Sequence, residues 1–132
     1  MDSVRVKDYM VPQPVTVTES VTIAEAARLI TEKKVSGLVV VDAEENAVGM
    51  LSELDCLRTL LSERYNGQVL GGQQVSAVMT QPVTCCSPDV DIISIAESML
   101  EHKQRRRPVV QNNQLVGQIT CRQLLGAMLD FG

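Results

Sequence analysis

The feature that most constrains this chain is an internal repeat. Residues 6 to 61 align with residues 75 to 129 at an offset of 68 or 69, with one-residue shifts in two loops. The matched positions are mostly apolar or turn residues in the same order, such as Met10 with Met79. A duplicated unit of about 55 residues buries little apolar surface alone, so the sequence predicts two copies that pack on each other.

Each copy follows the same order of predicted elements. A proline, Pro14 or Pro82, opens a short extended run, and a capped amphipathic helix follows. Two apolar strands joined by a polar turn come next, and a closing helix begins near Ser52 or Thr120. This order predicts an α+β protein of two βαββα repeats, packed across a pseudo-twofold axis with their sheets facing inward.

The predicted domain boundaries follow the repeat. The first repeat takes residues 1–64 and the second takes residues 75–132. The segment between them, residues 65–74, is rich in glycine and polar side chains, which predicts a flexible linker.

Composition narrows the classes of function. Hydrophobic residues make up 45% of the chain, with one Phe, two Tyr and no Trp, so we expect an aliphatic core without base-stacking platforms. The net charge of −4 argues against a nucleic-acid partner, because phosphate neutralisation needs a basic surface. No apolar run is long enough to cross a bilayer, and the N-terminus lacks the apolar core of a signal peptide. We therefore expect a soluble, cytoplasmic protein with no membrane partner.

The cysteines and the histidine do not form a metal or catalytic pattern. Cys56, Cys85, Cys86 and Cys121 show no CxxC spacing, and His102 is the one histidine available to join them. The chain also lacks a Ser-His-Asp or Cys-His constellation and a glycine-rich phosphate loop, so we expect neither a metal site nor an enzyme. Free core thiols are the expected state, and a redox role is the alternative.

A family resemblance rests on the repeat together with three stretches: MVPQPVT and GMLSELD in the first copy, and RRRPVV in the second. With these stretches, residues 4 to 129 resemble a tandem pair of CBS domains, the Bateman module. The resemblance implies a regulatory fold without catalysis, whose clefts between the repeats hold adenine nucleotides such as AMP, ADP or ATP, or S-adenosylmethionine. It further implies energy sensing, no obligatory cofactor, a homodimer and a separate effector protein.

The same resemblance assigns a ribose site to the start of the first closing helix. Family members hold the ribose diol with the Asp of an S/T-x-x-D motif, which Ser52 and Asp55 match. The chemistry agrees, because a carboxylate accepts hydrogen bonds from two adjacent hydroxyls and free N–H groups at a helix start favour a phosphate. The adenine is expected against the first strand, at Val15, Thr16 and Val17.

A helix capping box is the alternative interpretation of this motif, because Ser at the cap and Asp three residues later satisfy backbone N–H groups. The second copy has Thr120 and Gln123 at the same positions, and Thr120 is its candidate ligand contact. Gln caps a helix but is a weaker partner for a diol. The sequence therefore predicts one good nucleotide cleft at Asp55 and a second that is weak or empty.

Phosphate binding is predicted at Arg105 and Arg106, just before an apolar strand of the second copy. Strand alternation prevents all three neighbouring arginines from contacting one ligand, so Arg107 is left out. In the family, a basic pair at this place clamps the phosphates of a ligand whose ribose lies on the other repeat, which implies one composite site with Asp55. A solvated arginine loop is the alternative.

Two further functions stay open at this point. One is a structural dimerisation or docking module with a degenerate pocket, and the other is a sensor of S-adenosylmethionine. Ligand titration separates both from a nucleotide sensor.

Overall fold

The computed structural model of the protein describes residues 4 to 130. Within them, four α-helices and two three-stranded sheets confirm the predicted α+β class. The strands are β1 (Val11–Pro12), β2 (Thr16–Thr18), β3 (Gly37–Val41), β4 (Ala47–Ser52), β5 (Arg106–Gln111) and β6 (Gln114–Thr120). The α-helices are α1 (Ile23–Lys33), α2 (Glu53–Tyr65), α3 (Ile92–Glu101) and α4 (Cys121–Asp130), and short 3-10 helices occur at Val6–Asp8 and Val75–Ala77.

The two sheets differ in their opening strands. One sheet has the order β2-β3-β4, in which β2 runs parallel and β4 antiparallel to β3. The other has the order β1-β6-β5 and is antiparallel throughout. The predicted opening strand of the second copy is reduced to a single parallel bridge between Cys86 and Val109.

The first helix of each copy begins where the sequence predicts a cap. Thr22 Oγ1 accepts a hydrogen bond from Glu25 N at 3.2 Å ahead of α1, and Asp91 Oδ1 accepts one from Ile93 N at 2.6 Å ahead of α3. Each helix buries one apolar stripe, because residues three and four apart lie on one face. The stripes are Ile23, Ala26 and Ile30 in α1, and Ile92, Ile95 and Met99 in α3.

The compact units of the structure differ from the repeats of the sequence. The terminal unit contains the described residues up to Pro14 and those from Thr84 onward, and the central unit contains Val15–Val83. The opening segment of each copy therefore packs with the helices and strands of the other copy.

Matching hydrogen bonds hold these exchanged opening segments. Val6 N donates to Val90 O at 2.9 Å in the terminal unit, and Val75 N donates to Val21 O at 2.8 Å in the central unit. Val21 and Val90 are equivalent in the repeat, so both units make the same contact. The side chains of Val6 and Val75 are fully buried at 0% exposure, so each copy supplies a core residue to the unit built around the other.

Two strand glycines make room for the exchanged segments. A Cβ on Gly49 would lie 2.6 Å from Met79 Sδ, and a Cβ on Gly117 would lie 2.5 Å from Met10 Sδ. Both distances are well inside van der Waals contact, and the backbone also approaches both glycines closely. The glycine of one copy and the opening methionine of the other thus form a matched pair in each unit.

Hydrogen bonds join part of the predicted linker, residues 65–74, to the helices of the central unit. The Glu63 carboxylate, which is 3% exposed, accepts from Gly71 N at 2.9 Å and from Gln73 Nε2 at 3.2 Å. Gly71 has a φ of +74°, a conformation that favours glycine, and its carbonyl accepts from Ala24 N at 3.1 Å. The segment is therefore part of the central unit and ties the end of α2 to the start of α1.

Candidate functional site

The start of α2 carries a complete capping box. Ser52 Oγ accepts from Asp55 N at 3.0 Å, and Asp55 Oδ2 accepts from Ser52 N at 3.0 Å. Glu53 N donates to Ser36 O at 2.9 Å, which joins the first helical turn to the start of β3. The Ser52–Asp55 motif therefore caps the helix, in agreement with the capping-box interpretation of the sequence.

The Asp55 carboxylate has acceptor capacity beyond the cap. Its side chain is 21% exposed, and Oδ1 lies 3.5 Å from Arg58 Nη1. Because an ionised carboxylate offers about four lone-pair sites, one backbone bond to Oδ2 leaves the remainder for a hydroxyl donor. Arg58, one helical turn after Asp55, is the functional neighbour that the sequence interpretation missed, although its three-residue spacing from Asp55 is the signal for such a pair.

The strand predicted to contact adenine divides its side chains between two faces. Val17 is 7% exposed and packs in the hydrophobic core, and half-buried Val15 packs against that core. Thr16 is exposed on the opposite face of β2. Of the three predicted contacts, only Thr16 presents its side chain to solvent, so Val17 is limited to backbone contacts.

Thr16 and the cap of α2 lie on one face of the central sheet. Thr16 of β2 pairs with Val39 of β3, and Val39 pairs with Met50 of β4. Ser52 follows Met50 by two residues, so its side chain lies on the same face of the sheet. Strand spacing places Thr16 and Ser52 about 10 Å apart across the sheet and about 7 Å apart along it. β2 is also an edge strand, so the outward backbone groups of Thr16 are directed away from β3.

The arginine run lies in the terminal unit, and its three side chains differ in burial. Arg105 is exposed, Arg106 is half-buried and Arg107 is 4% exposed. Arg107 Nε donates to Gln104 Oε1 at 3.1 Å and Arg107 Nη1 donates to Ser98 Oγ at 3.1 Å, so this guanidinium ties α3 to the start of β5. Of the two arginines that the sequence predicts as phosphate ligands, Arg106 is the first residue of β5 and Arg105 directly precedes it.

Thr120 stands directly opposite Arg106 across the antiparallel pair of β5 and β6, so the two side chains share one face. Gln123 Oε1 accepts from Thr120 N at 3.2 Å and from the Thr120 hydroxyl. The second copy thus reproduces the helix cap with a neutral amide. The structure brings Ser52 and Asp55 together in the central unit, with Thr16 two strands away on the same sheet face, and it brings Arg106 and Thr120 together in the terminal unit.

The comparison with known families decides the assignment. The family model of the CBS domain matches residues 6–62 and 75–130. The chain belongs to the CBS-domain family. The two matched CBS domains coincide with the sequence repeat and confirm the tandem CBS pair that the sequence resembles.

Several proteins share this CBS pair. The CBS domain-containing protein YhcV of Bacillus subtilis is 33% identical over 112 residues, which cover 85% of this chain and 76% of YhcV. Protein MJ1404 of Methanocaldococcus jannaschii is 29% identical over 140 residues, and the chain spans only 33% of its length.

Solved structures agree with the fold. CBSX2, crystallised in complex with AMP, has a TM-score of 0.84 and 30% identity, with 98% of each chain covered. The CBS-domain protein ATU1752 from Agrobacterium tumefaciens has a TM-score of 0.82 and 29% identity, with 94% of this chain and 92% of that chain covered.

An open cleft of about 490 Å³ adjoins the first CBS domain in the central unit. Its walls come from the start of β4 and from the segment that opens the second copy, which is why the sequence did not reveal it. Its volume falls in the range of small-molecule sites, but its lining carries no charged group. The lining residues are Ala47, Val48, Gln81, Pro82 and Val83.

The cysteines of the CBS pair are all free. Burial raises the pKa of Cys86 to about 11, and burial also raises the pKa of Cys85, where the Arg107 charge opposes it. Burial and the neighbouring Asp55 charge raise the pKa of Cys56. These three thiols therefore hold their protons at neutral pH and are poor nucleophiles.

Residues 4 to 130 contain no group of three or more His, Cys, Asp or Glu side chains arranged to hold a metal ion. No helix among them is long and apolar enough to span a membrane.

Proposed function

We propose that this CBS pair is a non-catalytic regulatory module that binds an adenine nucleotide of the AMP, ADP or ATP class and signals its occupancy to a partner protein. The observation that carries the proposal is the Asp55 carboxylate at the start of α2, half of whose acceptor capacity is not needed by the helix cap. The AMP complex of CBSX2, a relative of the same length, supports the class of ligand.

The proposed role of Asp55 is to accept hydrogen bonds from the ribose diol. A charged acceptor strengthens such bonds, and Gln123 of the second copy lacks that charge. The positive end of the α2 dipole favours a phosphate or another negative group nearby. The ligand is therefore expected to occupy the sheet face at the start of α2.

The proposed adenine contact is the edge of β2 at Thr16. The spacing between Thr16 and Ser52 is of the order of the length of a nucleoside, and the outward backbone groups of β2 can donate and accept at the base edge. Val15 and Val17 contribute the stiffness of a packed strand, and the Val15 carbonyl already accepts from Val39 N. This arrangement favours a purine nucleoside over a smaller metabolite.

Arg105 and Arg106 are the proposed phosphate ligands, because a guanidinium binds phosphate in bidentate geometry. They belong to the terminal unit, whereas Asp55 belongs to the central unit. Titration of Asp55→Asn and Arg106→Gln with AMP and with adenosine tests whether both residues act on one ligand. If they do, both variants weaken AMP binding and Arg106→Gln leaves adenosine binding unchanged, whereas AMP binding by Arg106→Gln equal to that of the wild type contradicts the phosphate contact.

The decisive experiment is isothermal titration of the purified chain with AMP, ATP and S-adenosylmethionine. The Asp55→Asn variant is the matched control, since its amide oxygen can still accept from Ser52 N, as Gln123 accepts from Thr120 N. We expect AMP or ATP to bind the wild type and Asp55→Asn to weaken binding about tenfold or more, because a charged acceptor is lost.

The other outcomes of this titration identify the alternatives. Binding of S-adenosylmethionine alone would make the module a sensor of that ligand. No heat with any of the three at millimolar concentration would leave a structural docking module with a degenerate pocket, and the nucleotide proposal would be wrong.

We also propose that the module forms a homodimer through its closing helices and acts in the cytoplasm. Exposed leucines recur at equivalent places in both copies, so the chain presents the same apolar stripe twice, as suits symmetric pairing with a second copy. The leucines are Leu57 and Leu61 in α2, and Leu125 and Leu129 in α4. In sedimentation, Leu57→Glu should dissociate the dimer, and Leu100→Glu on α3 should not.

The proposed cytoplasmic location is supported by the free cysteines, which fit a reducing compartment.

A further inference from the structure

Arg58 contacts the one Asp55 oxygen that the helix cap does not use. Asp55 Oδ2 accepts from Ser52 N, and Asp55 Oδ1 lies 3.5 Å from Arg58 Nη1. The Arg58 side chain is 74% exposed, whereas that of Asp55 is 21% exposed. An exposed cation therefore lies beside the Asp55 oxygen that the cap leaves unused.

The second copy lacks both members of this ion pair. At the offset of the repeat, Gln123 stands where Asp55 stands and Gly126 stands where Arg58 stands. A Cβ on Gly126 would meet nothing within 4 Å, so space does not exclude a side chain there. The arginine therefore occurs only in the copy that has the carboxylate. Both copies have the helix cap, so the cap does not need the arginine.

We infer that Arg58 is a specificity-determining residue of the nucleotide site, which competes with the ribose hydroxyls for Asp55 Oδ1; the inference rests on the proposed function. A hydroxyl that donates to Oδ1 must displace or share the guanidinium. The separation of 3.5 Å exceeds hydrogen-bond length, so the contact is a loose ion pair that a directed hydrogen bond can replace. Exposed ion pairs are weak, so the competition lowers affinity by about twofold to fivefold.

Competition of this kind gives the site an unusual response to salt. Salt screens an exposed ion pair, which frees Asp55 and improves the binding of an uncharged nucleoside. Phosphate binding responds in the opposite direction, since salt weakens the attraction of arginine for phosphate. Adenosine is therefore the probe that isolates Arg58 from the proposed phosphate ligands.

The test measures adenosine affinity by titration at about 50 mM and about 300 mM NaCl. We expect Arg58→Ala to bind adenosine about twofold to fivefold more tightly than the wild type at low salt, with a smaller difference at high salt. Arg58→Lys should stay near the wild type, because it keeps the charge. Arg64→Ala removes the same charge from the last turn of α2 and should change nothing.

A ligand without the diol completes the test. 2′,3′-Dideoxyadenosine offers no hydroxyl to Asp55, so its affinity should be the same in the wild type and in Arg58→Ala. Unchanged or weaker adenosine binding by both Arg58→Ala and Arg58→Gln, or an equal gain for the dideoxy compound, overturns the inference. Loss of the proposed function looks different: neither AMP nor adenosine would then bind in a manner sensitive to Asp55→Asn.

Discussion

Among single residues, Asp55 meets two demands at the start of α2. Its Oδ2 closes the capping box with Ser52 N, and its Oδ1 keeps acceptor capacity toward solvent. Gln123 shows that a neutral side chain suffices for the cap in this fold. The hydrogen bonds of the cap therefore do not require the charge at Asp55, which also suits the positive end of the α2 dipole, and the proposed ribose contact gives it a further use.

Glycine at position 49 is required by packing, whereas glycine at position 126 is not. A Cβ on Gly49 would lie 2.6 Å from Met79 Sδ, so we expect Gly49→Ala to destabilise the protein by about 1–3 kcal/mol. Gly126 is exposed in α4 with open space around it, so Gly126→Ala should stabilise by about 0.5–1 kcal/mol. Urea unfolding measures both, and equal effects would contradict this packing account.

The Cys86 thiol makes the stability of the folded protein depend on pH in the alkaline range. Burial raises its pKa to about 11 from an ordinary value of 9.0, so the unfolded chain loses this proton at lower pH than the folded chain does. The folded state then binds more protons, and stability falls as pH rises from about 9 to about 11. The thiols of Cys85 and Cys56 act in the same direction.

Cys86→Val tests this dependence with a natural replacement. Cys86 pairs with Val109 in the terminal unit, and Val17 pairs with Val40 in the central unit. Valine therefore already occupies the position equivalent to Cys86 in the central unit. Urea midpoints at about pH 8 and about pH 10 should fall less in the variant than in the wild type. An equal fall in both proteins would assign the pH dependence to other groups.

Among the elements, the segment after α2 depends on one buried carboxylate. Glu63→Ala leaves Gly71 N and Gln73 Nε2 without their acceptor, so we expect a loss of about 2–3 kcal/mol in the free energy of unfolding. Protease cleavage within residues 66 to 72 should also become faster. Glu53→Ala is the matched control, because Glu53 is exposed on the same helix.

A milder substitution at Glu63 should have an intermediate effect on stability. Glu63→Gln retains an oxygen that can accept from one donor, so its loss of stability should lie between those of the wild type and Glu63→Ala. If Glu63→Ala unfolds like Glu53→Ala and is cut no faster, the segment is held by other contacts, such as the bond from Ala24 N to Gly71 O.

At the scale of the whole molecule, the two copies exchange their opening segments. Val6 lies in a core with Ile92 and Ile119, and Val75 lies in a core with Ile23 and Leu51. Each opening segment therefore stabilises the helices and strands of the other copy. Removing the start of the chain should weaken the terminal unit first.

Val6→Ala and Val75→Ala form a matched pair, because both side chains are fully buried at equivalent positions. Each should cost roughly 2 kcal/mol, as expected for a truncated core side chain. In hydrogen exchange, Val6→Ala should lower protection in residues 92 to 127, and Val75→Ala should lower protection in residues 23 to 60. The reverse assignment would contradict the exchanged arrangement.

Much of the candidate site was predictable from local pattern. The Ser52–Asp55 spacing identified both the cap and its spare carboxylate. Two details needed the structure. Val17 turns to the core, because the register of β2 against β3 sets its face. The three-residue spacing allows Arg58 to reach Asp55, but only the structure shows that its side chain does so.

The sequence by itself determined the helices, their caps, the apolar stripes and the family, because these depend on residues a few positions apart and on a repeat visible in one chain. Only the tertiary structure decided that Val6 packs beside Val90 and Val75 beside Val21. The physical reason is that the opening segments of the two copies are equivalent. Duplicated segments present the same apolar side chains to both copies, so local sequence favours neither partner, and the path of the chain makes the choice.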